Sequence, residues 1–216
     1  MAKALSVHQV LSGRRNVIAF DGQWEATFGH PELSGTWIIW GQSFSGKTTF
    51  VLQLCKYLCS FEKVIYNSLE EGAGRSMQLA FERVGMEDVS RRFSLLDGES
   101  MPELVERLKK HKSPNVVVID SLQYADLSYK EYKQLKRLFP NKLFIFVSHA
   151  EGKLPDGRLA NKVRYDAHCK IRVEGYRAFV NSRFADHSEE NYLSVWDEGA
   201  NRYWGDKNEK DYEDSK

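Results

Sequence analysis

Short apolar runs and segments of helical period alternate through the middle of the chain. The apolar runs are rich in β-branched and aromatic residues and span 36–40, 64–67, 93–96, 116–120 and 143–148. Between them, apolar residues recur every three or four positions near 48–59, 74–84, 102–111 and 129–138. Parallel strands need a crossover connection, so this alternation predicts an α/β fold with a mostly parallel central sheet flanked by helices.

The two ends of the chain show other patterns. Residues 17–28 predict two short strands around the turn pair Asp21-Gly22, which together form a hairpin that caps the sheet. A polar, glycine-containing loop is expected over residues 150–164. Antiparallel strands are expected after that loop, over 168–174, 178–184 and 192–196.

These patterns indicate one domain over residues 1–204. We divide it into an N-terminal hairpin or cap (1–35), a core (36–149) and a section of loop and antiparallel strands (150–204). Residues 205–216 mix both charges with almost no apolar content, and we expect them to be a disordered tail.

Composition restricts the classes of function. The chain has 216 residues, and 31 Lys+Arg against 30 Asp+Glu leave a net charge of +1, so any contact with nucleic acid must be local. No apolar run approaches the ~20 residues of a membrane-spanning helix, and residues 1–10 lack an apolar signal core. We therefore expect a cytoplasmic protein with no membrane association. Cys55, Cys59 and Cys169 are interpreted as buried free thiols of a reducing compartment.

The most specific motif is a phosphate-binding loop that follows the first predicted core strand and opens a helix. It fits G-x-x-x-x-G-K-[ST], and with the residue after it comprises Gly41, Gln42, Ser43, Phe44, Ser45, Gly46, Lys47, Thr48 and Thr49. The two glycines let the backbone wrap a polyphosphate so that successive N–H groups face its oxygens. Lys47 would then reach the β- and γ-phosphates of ATP, and the Thr48 hydroxyl would coordinate Mg²⁺.

Acidic and polar residues follow three other predicted core strands. Asp120 ends the run of 116–120 and is interpreted as the acid on the magnesium side. Glu70 and Glu71 come just after the second strand, where either carboxylate could polarise the attacking water, or both could form a solvated acidic turn. Ser148 and His149 end the last core strand, where they would sense the nucleotide state or simply belong to the core.

With these motifs in place, residues 36–197 resemble the RecA-like P-loop ATPases, and within them the branch of RadA/Sms and the DnaB-type helicases. The matches are the phosphate loop, SLEE at 68–71, VVVIDSLQ at 116–123 and the late segment VSHAEGK, RYDAH and VNSRF between 147 and 184. The chain has no zinc-binding cysteine quartet and no helical collar. It is therefore similar to a stand-alone core of the kind that phages and mobile elements encode.

The resemblance implies roles for particular residues. It places the catalytic glutamate at Glu70, ahead of Glu71, and an arginine that enters the neighbouring subunit's site at Arg183. Asn181 stands where the family commonly has a lysine. The DNA-contacting loop of the family corresponds to residues 151–164, and its candidate contacts are Lys153, Arg158, Lys162 and Arg164.

Two functions from different classes remain open at this point. The first is a Mg²⁺- and ATP-dependent ATPase that works as a homo-oligomer, ring or filament, on or near single-stranded DNA in recombination, repair or replication. The second is a nucleotide-regulated module that recruits a partner protein and hydrolyses ATP slowly or not at all. A small-molecule kinase fits less well, because long antiparallel strands occupy the place of a basic lid.

Overall fold

A nine-stranded sheet forms the centre of the computed structural model, which describes residues 4–186 and 192–213. Its strands are β1 Gly35–Gly41, β2 Val64–Ser68, β3 Phe93–Asp97, β4 Val116–Asp120, β5 Leu143–Glu151, β6 Leu154–Pro155, β7 Cys169–Glu174, β8 Arg177–Ser182 and β9 Tyr192–Ser194. They lie in the order β3-β2-β4-β5-β1-β7-β8-β9, and β6 pairs with the end of β5. The strands from β3 to β7 in that order are parallel, and β8 and β9 continue the sheet antiparallel, as the sequence predicts.

Helices cover both faces of the sheet. Within the described residues they are α1 Val7–Leu11, α2 Gly22–Phe28, α3 Lys47–Leu58, α4 Arg75–Val84, α5 Met101–Lys109, α6 Tyr129–Leu138, α7 Arg158–Asp166 and α8 Asp197–Glu213. One apolar core lies under α2, α3 and α4, and a second lies under α5, α6 and α7. The five residues of β4 are all buried, which explains why this strand is an unbroken apolar run up to its final carboxylate. The predicted α/β architecture is confirmed.

The predicted hairpin over residues 17–28 is wrong, because most of this segment is the helix α2. Asp21 precedes the helix, and its carbonyl accepts the first helical hydrogen bond from the Glu25 N–H. Trp24 and Phe28 lie one turn apart on the buried side, and Trp24 stacks on Tyr57. Aromatic packing against α3 and β1 therefore decides the conformation, and the turn propensity of Asp21-Gly22 does not. Val17 keeps a single antiparallel bridge, to Glu32.

The expected loop over residues 150–164 is also wrong. The chain first forms the short hairpin of β5 and β6, and it then enters α7 at Arg158. Ala160 and Val163 are three residues apart and both buried, so this otherwise polar helix has an apolar stripe that faces the core. The polar composition of the segment hides that stripe.

The tail predicted to be disordered is helical in the described residues, since α8 continues to Glu213. The helix begins with Asp197 and Glu198, whose charges favour a helix N-terminus. Ala200 is buried in its first turns, and the Trp204 indole N–H donates to the Gly175 carbonyl. Packing of this first part stabilises the start of the helix, and the helix then continues through the charged residues that follow. Residues 1–3, 187–191 and 214–216 of the predicted domain and tail lie outside the described part of the chain.

No helix within residues 4–186 and 192–213 is both long enough and apolar enough to cross a lipid bilayer.

The packing of α2 gives a prediction about stability. Phe28 is fully buried, its ring lies 5.3 Å from the Trp37 ring, and its carbonyl accepts a hydrogen bond from Ser182. Phe28→Ala should therefore lower the free energy of unfolding by about 3–5 kcal/mol, the usual cost of an emptied aromatic site. Leu11→Ala, at a residue that is 80% exposed, should change it by less than ~0.5 kcal/mol. Urea unfolding of both variants measures this, and equal losses would contradict the packing of α2.

Candidate functional site

The phosphate loop connects β1 to α3, as its motif predicts. Gly41 ends β1 so close to β7 that an added Cβ would lie 2.4 Å from the Val173 carbonyl oxygen. Gly46 precedes α3 with a φ of +93°, a conformation that L side chains rarely adopt. Both glycines of the motif are therefore required by the backbone itself. The loop between them ends at the N-terminus of a 12-residue helix, where unpaired N–H groups favour an anion.

The loop has the polar groups that a polyphosphate needs. The Ser45 hydroxyl is buried and has no hydrogen-bond partner among the described residues. The Lys47 ammonium donates to the Gly41 carbonyl at 3.2 Å, across the mouth of the loop. Burial lowers the pKa of Lys47, while Asp120, Glu70 and Glu71 oppose that shift. Phe44, at the tip, has a φ of +61° and is 97% exposed.

Asp120 lies at the end of β4, on the side of the site that faces the phosphate loop. Its carboxylate accepts a hydrogen bond from the buried Tyr66 hydroxyl. Burial raises the pKa of Asp120 to about 6, although the Tyr66 hydrogen bond and the Lys47 charge act in the opposite direction. The backbone carbonyl of Asp120 also accepts hydrogen bonds from the N–H groups of Leu69 and Glu70, at 2.6 and 3.3 Å. The ends of β2 and β4 are thereby fixed to each other.

Glu70 is held by residues from two other strand ends. The Ser121 hydroxyl donates to a Glu70 carboxylate oxygen at 3.1 Å, and the His149 Nε2 atom lies 2.8 Å from the same oxygen. Glu70 and His149 are each about one-third exposed, so the pair borders solvent and does not belong to the core. The structure thus brings together Glu70, one of the two predicted sensor residues and the serine that follows Asp120.

These groups line one cleft of ≈ 550 Å³ that runs from the phosphate loop to β5. Its walls include Gln42, Lys47, Thr48, Glu70, Glu71, Asp120 and His149. A hydroxyl and a carboxylate, Thr48 and Asp120, provide the oxygen ligands that Mg²⁺ prefers, and Mg²⁺ normally takes few ligands from protein and the rest from phosphate and water. With the open glycine cradle and the unpartnered Ser45 hydroxyl, the residues fit a magnesium nucleotide. Within the described residues, no cluster of three His, Cys, Asp or Glu side chains could hold a metal alone.

Ser148 is not at the cleft surface but joins a network that sequence reasoning missed. Its hydroxyl accepts a hydrogen bond from the Gln123 side-chain amide at 3.0 Å. The same amide donates to the Asp156 carbonyl, and its oxygen accepts from the His149 N–H. Gln123 therefore connects the ends of β4 and β5 with the start of α7. Its position two residues after Ser121, in the matched DSLQ motif, was the available signal.

Arg183 lies at the opposite end of the sheet from the phosphate loop. β8 runs antiparallel to β7, so Ser182 pairs with Cys169, which in turn pairs with Trp37 near the start of β1. The Arg183 N–H donates to the His168 carbonyl there. The Arg183 side chain accordingly takes no part in the cleft of its own chain.

The four candidate DNA contacts do not lie on one loop. Lys153 is exposed in the turn between β5 and β6, and Arg158 is the exposed first residue of α7. Lys162 and Arg164 follow on α7, where the Lys162 ammonium lies over the Tyr129 ring and Arg164 lies over the Trp40 ring.

The three cysteines, Cys55, Cys59 and Cys169, are buried and free. Burial raises the pKa of Cys59 to about 11 and that of Cys169 to about 12. Neither thiol is activated as a nucleophile.

Comparison with known proteins shows the fold. The chain is similar to FlaH, a flagellar accessory protein from Methanocaldococcus jannaschii (TM-score 0.60, 14% identity, 85% of this chain and 96% of that one). It is also similar to the KaiC-like protein PH0186 from Pyrococcus horikoshii OT3 (TM-score 0.56, 19% identity, 83% of this chain and 92% of that one). A third similar structure is the RadB recombinase (TM-score 0.53, 19% identity, 82% of this chain and 94% of that one). No family model and no curated protein matches the sequence.

The architecture and these similarities together identify a RecA-like P-loop NTPase fold, as the sequence motifs indicate. They do not support the RadA/Sms branch in particular. With identities below 20%, they establish the fold and leave the activity to be argued from the site.

The burial of Asp120 gives a second prediction. The folded chain holds this carboxyl at a pKa of about 6 against 3.8 in its ordinary state, so the folded state binds more protons between these values. The stabilisation that follows from the raised pKa of Asp120 is complete below pH 3.8 and is lost as the pH rises through about 6. Asp120→Asn, in EDTA, should therefore raise the free energy of unfolding at pH 7.5 by on the order of 1–3 kcal/mol, and by much less at pH 4.5.

Urea unfolding at the two pH values measures this difference. Asp186→Asn, at an exposed carboxylate, is the matched control and should show no gain at either pH. A loss of stability in Asp120→Asn at pH 7.5 would show that the ionised carboxylate stabilises the fold.

Proposed function

We propose that this chain is a Mg²⁺-dependent ATPase that acts on or near single-stranded DNA in recombination, repair or replication, with nucleotide sites completed between subunits of a homo-oligomer. One observation carries the enzymatic part. Lys47, Thr48, Asp120 and Glu70, from three separate stretches of the sequence, line a single cleft at the carboxyl ends of parallel strands.

The phosphate-binding part of the cleft positions the nucleotide. Backbone N–H groups of the loop would face the phosphate oxygens, the Ser45 hydroxyl has no hydrogen-bond partner among the described residues, and Lys47 adds a charge at the mouth of the loop. Thr48 and Asp120 would hold Mg²⁺, which neutralises charge that develops on the transferred phosphoryl group. Binding the ion would also favour the ionised form of Asp120, which burial otherwise disfavours.

Glu70 is the residue best placed to orient the attacking water. Ser121 and His149 engage one oxygen of its carboxylate, and the other oxygen, which has no hydrogen-bond partner among the described residues, would accept from water in the cleft. His149 contacts the carboxylate from near the end of β5, so it is also placed to respond to the nucleotide. Ser148 would support that response through Gln123.

The oligomer and the DNA substrate rest on weaker support. A recombinase is among the similar structures. The distance of Arg183 from its own cleft is consistent with a role in a neighbouring subunit. Lys153, Arg158, Lys162 and Arg164 remain the proposed DNA contacts.

The second candidate function is a nucleotide-regulated interaction module with slow or no hydrolysis. Asn181 favours it, since an exposed amide replaces the lysine that commonly stands two residues before the arginine. Turnover measurements with and without oligo(dT) separate the two functions.

The role of Glu70 can be tested by a substitution that keeps its shape. Glu70→Gln retains an oxygen that can accept from Ser121, yet it weakens the interaction with the water. ATP turnover should fall by about 10²-fold or more, with nucleotide affinity nearly unchanged. Phosphate release and binding of a fluorescent ATP analogue measure the two quantities.

Two further variants complete this experiment. Glu71→Gln is the matched control and should retain most of the turnover, because Glu71 is exposed in the same cleft. Lys47→Ala should weaken nucleotide binding itself. A larger loss of turnover in Glu71→Gln than in Glu70→Gln would transfer the role to Glu71.

The trans-site model makes a separate prediction for Arg183. Arg183→Ala should abolish the stimulation of ATPase activity by single-stranded DNA while it spares nucleotide binding, because an arginine supplied in trans contributes about 10³–10⁵ in rate in related systems. Raised salt should remove the stimulation in the wild type as well. Wild-type rates in Arg183→Ala, at concentrations where oligomers form, would favour the interaction module.

A further inference from the structure

The outer surfaces of α6 and α7 form one continuous face. The two helices are joined by Asp166, which accepts hydrogen bonds of 2.5 Å from both the Tyr132 hydroxyl and the Lys136 ammonium. Both helices pack on the same apolar core through Leu135 and Val163. Side chains that point away from that core therefore share a single surface, although α6 precedes β5 and α7 follows it.

This surface gathers cations around aromatic rings. The ammonium groups of Lys133 and Lys162, from different helices, each lie 4.8 Å from the centre of the Tyr129 ring. Arg164 lies 6.0 Å from the centre of the Tyr165 ring, and Tyr165 is 74% exposed. We define the α6–α7 basic face as Lys133, Lys162 and Arg164 with the rings of Tyr129 and Tyr165, and we add Lys170 of the adjacent strand β7, which is close enough to Arg164 to be affected by its charge.

Few carboxylates are in a position to compensate the positive charge of this face. Asp166 is already engaged by Lys136 and Tyr132, and Glu131 caps the start of α6 through Ser128. Within the described residues, no ion pair involves Lys133 or Lys162. The Arg164 Nε atom is buried without a hydrogen-bond partner in the same part of the chain.

Burial and, to a smaller extent, nearby cations lower the pKa of two groups next to α7. Burial, followed by the charges of Arg164 and Arg183, lowers the pKa of Lys170 on β7. Burial, Arg183 and Lys136 likewise lower the pKa of the neighbouring His168, against the smaller opposing effects of Asp166 and Glu32. A local excess of cations is notable in a chain whose net charge is only +1.

We propose that the α6–α7 basic face binds single-stranded nucleic acid, with its cations on the phosphodiester backbone and the exposed ring of Tyr165 against a base. The ammonium groups of Lys133 and Lys162 both lie beside the Tyr129 ring, so they offer two cations from different helices to neighbouring phosphates of one strand. Cations together with one exposed ring suit a chain that presents both phosphates and bases. An acidic peptide would use the cations but has no need of the ring.

This inference deepens the DNA part of the proposed function and shares only Lys162 and Arg164 with the contacts suggested by the family resemblance. It places the nucleic acid on a helix surface built from two crossovers of the sheet. Lys133, Lys170 and the tyrosines have no counterpart in the predicted loop of residues 151–164.

The test measures the affinity of the full chain for fluorescein-labelled oligo(dT) by anisotropy, without nucleotide, over a range of salt concentrations. Lys133→Glu with Lys162→Glu should weaken binding by about tenfold or more at low salt, and should reduce the slope of log K against log salt by about 1.4, the value for two lost phosphate contacts. Lys63→Glu with Lys110→Glu is the matched control, since it makes the same charge change at exposed residues of other elements. It should weaken binding much less.

A second pair of measurements separates nucleic acid from an acidic protein. Tyr165→Ala should weaken oligo(dT) binding by about fivefold or more, the lower range for loss of one stacked base. Polyglutamate of equal total charge should compete with oligo(dT) poorly. If polyglutamate competes as well as unlabelled oligo(dT), the face is an acidic-protein site and the proposal is wrong.

Equal losses in the two double variants, or no binding by the wild type, would also overturn the proposal. Should the glutamate variant lose its circular dichroism signal, Lys133→Gln with Lys162→Gln replaces it; the same change in slope of about 1.4 is expected, because the same two phosphate contacts are lost. ATP turnover without DNA is measured separately. If the protein hydrolyses ATP but binds oligo(dT) independently of this face, only this inference is wrong. If oligo(dT) binding depends on the face but ATP is not hydrolysed, only the proposed ATPase activity is wrong.

Discussion

The placement of one buried carboxylate organises much of this molecule. Asp120 ends a strand that is buried on both faces, and desolvation disfavours its charge. Its environment compensates through the Tyr66 hydroxyl and the Lys47 ammonium, and its carbonyl fixes the backbone of Leu69 and Glu70. The same residue therefore joins the strand ends and the phosphate loop. A site of this kind is held by the sheet itself, with little dependence on flexible loops.

The central strands and the geometry of the phosphate loop were predictable because each depends on a local signal. A run such as Val116–Asp120 has to be buried, and a glycine is required at Gly41 and Gly46 whatever surrounds them. Parallel topology then brings Asp120, Glu70 and His149 to one edge, since all three follow strands of the same direction.

The failed predictions concern segments whose conformation depends on distant partners. Helix α2 follows from the stacking of Trp24 on Tyr57, which lies far along the sequence in α3, and its own turn residues favour a hairpin. Helix α7 has only a narrow apolar stripe, and it is stabilised by contacts with α6 that no local pattern indicates. Gln123 was within a recognised motif, but its three partners come from two other strand and helix ends. The periodicity of the sequence does not indicate such contacts.

The amide of Gln123 has a mechanical consequence. Its oxygen accepts from the His149 N–H, and its nitrogen donates to the Ser148 hydroxyl and the Asp156 carbonyl, so it connects the wall of the cleft with the residues that precede α7. A ligand that displaces His149 must therefore either move Asp156 as well or break a hydrogen bond of the Gln123 amide and leave that polar group without a partner. The Asp156 N–H also donates to the His149 carbonyl at 2.9 Å, so the Gln123 amide and this backbone hydrogen bond together connect the wall of the cleft to the segment that leads into α7.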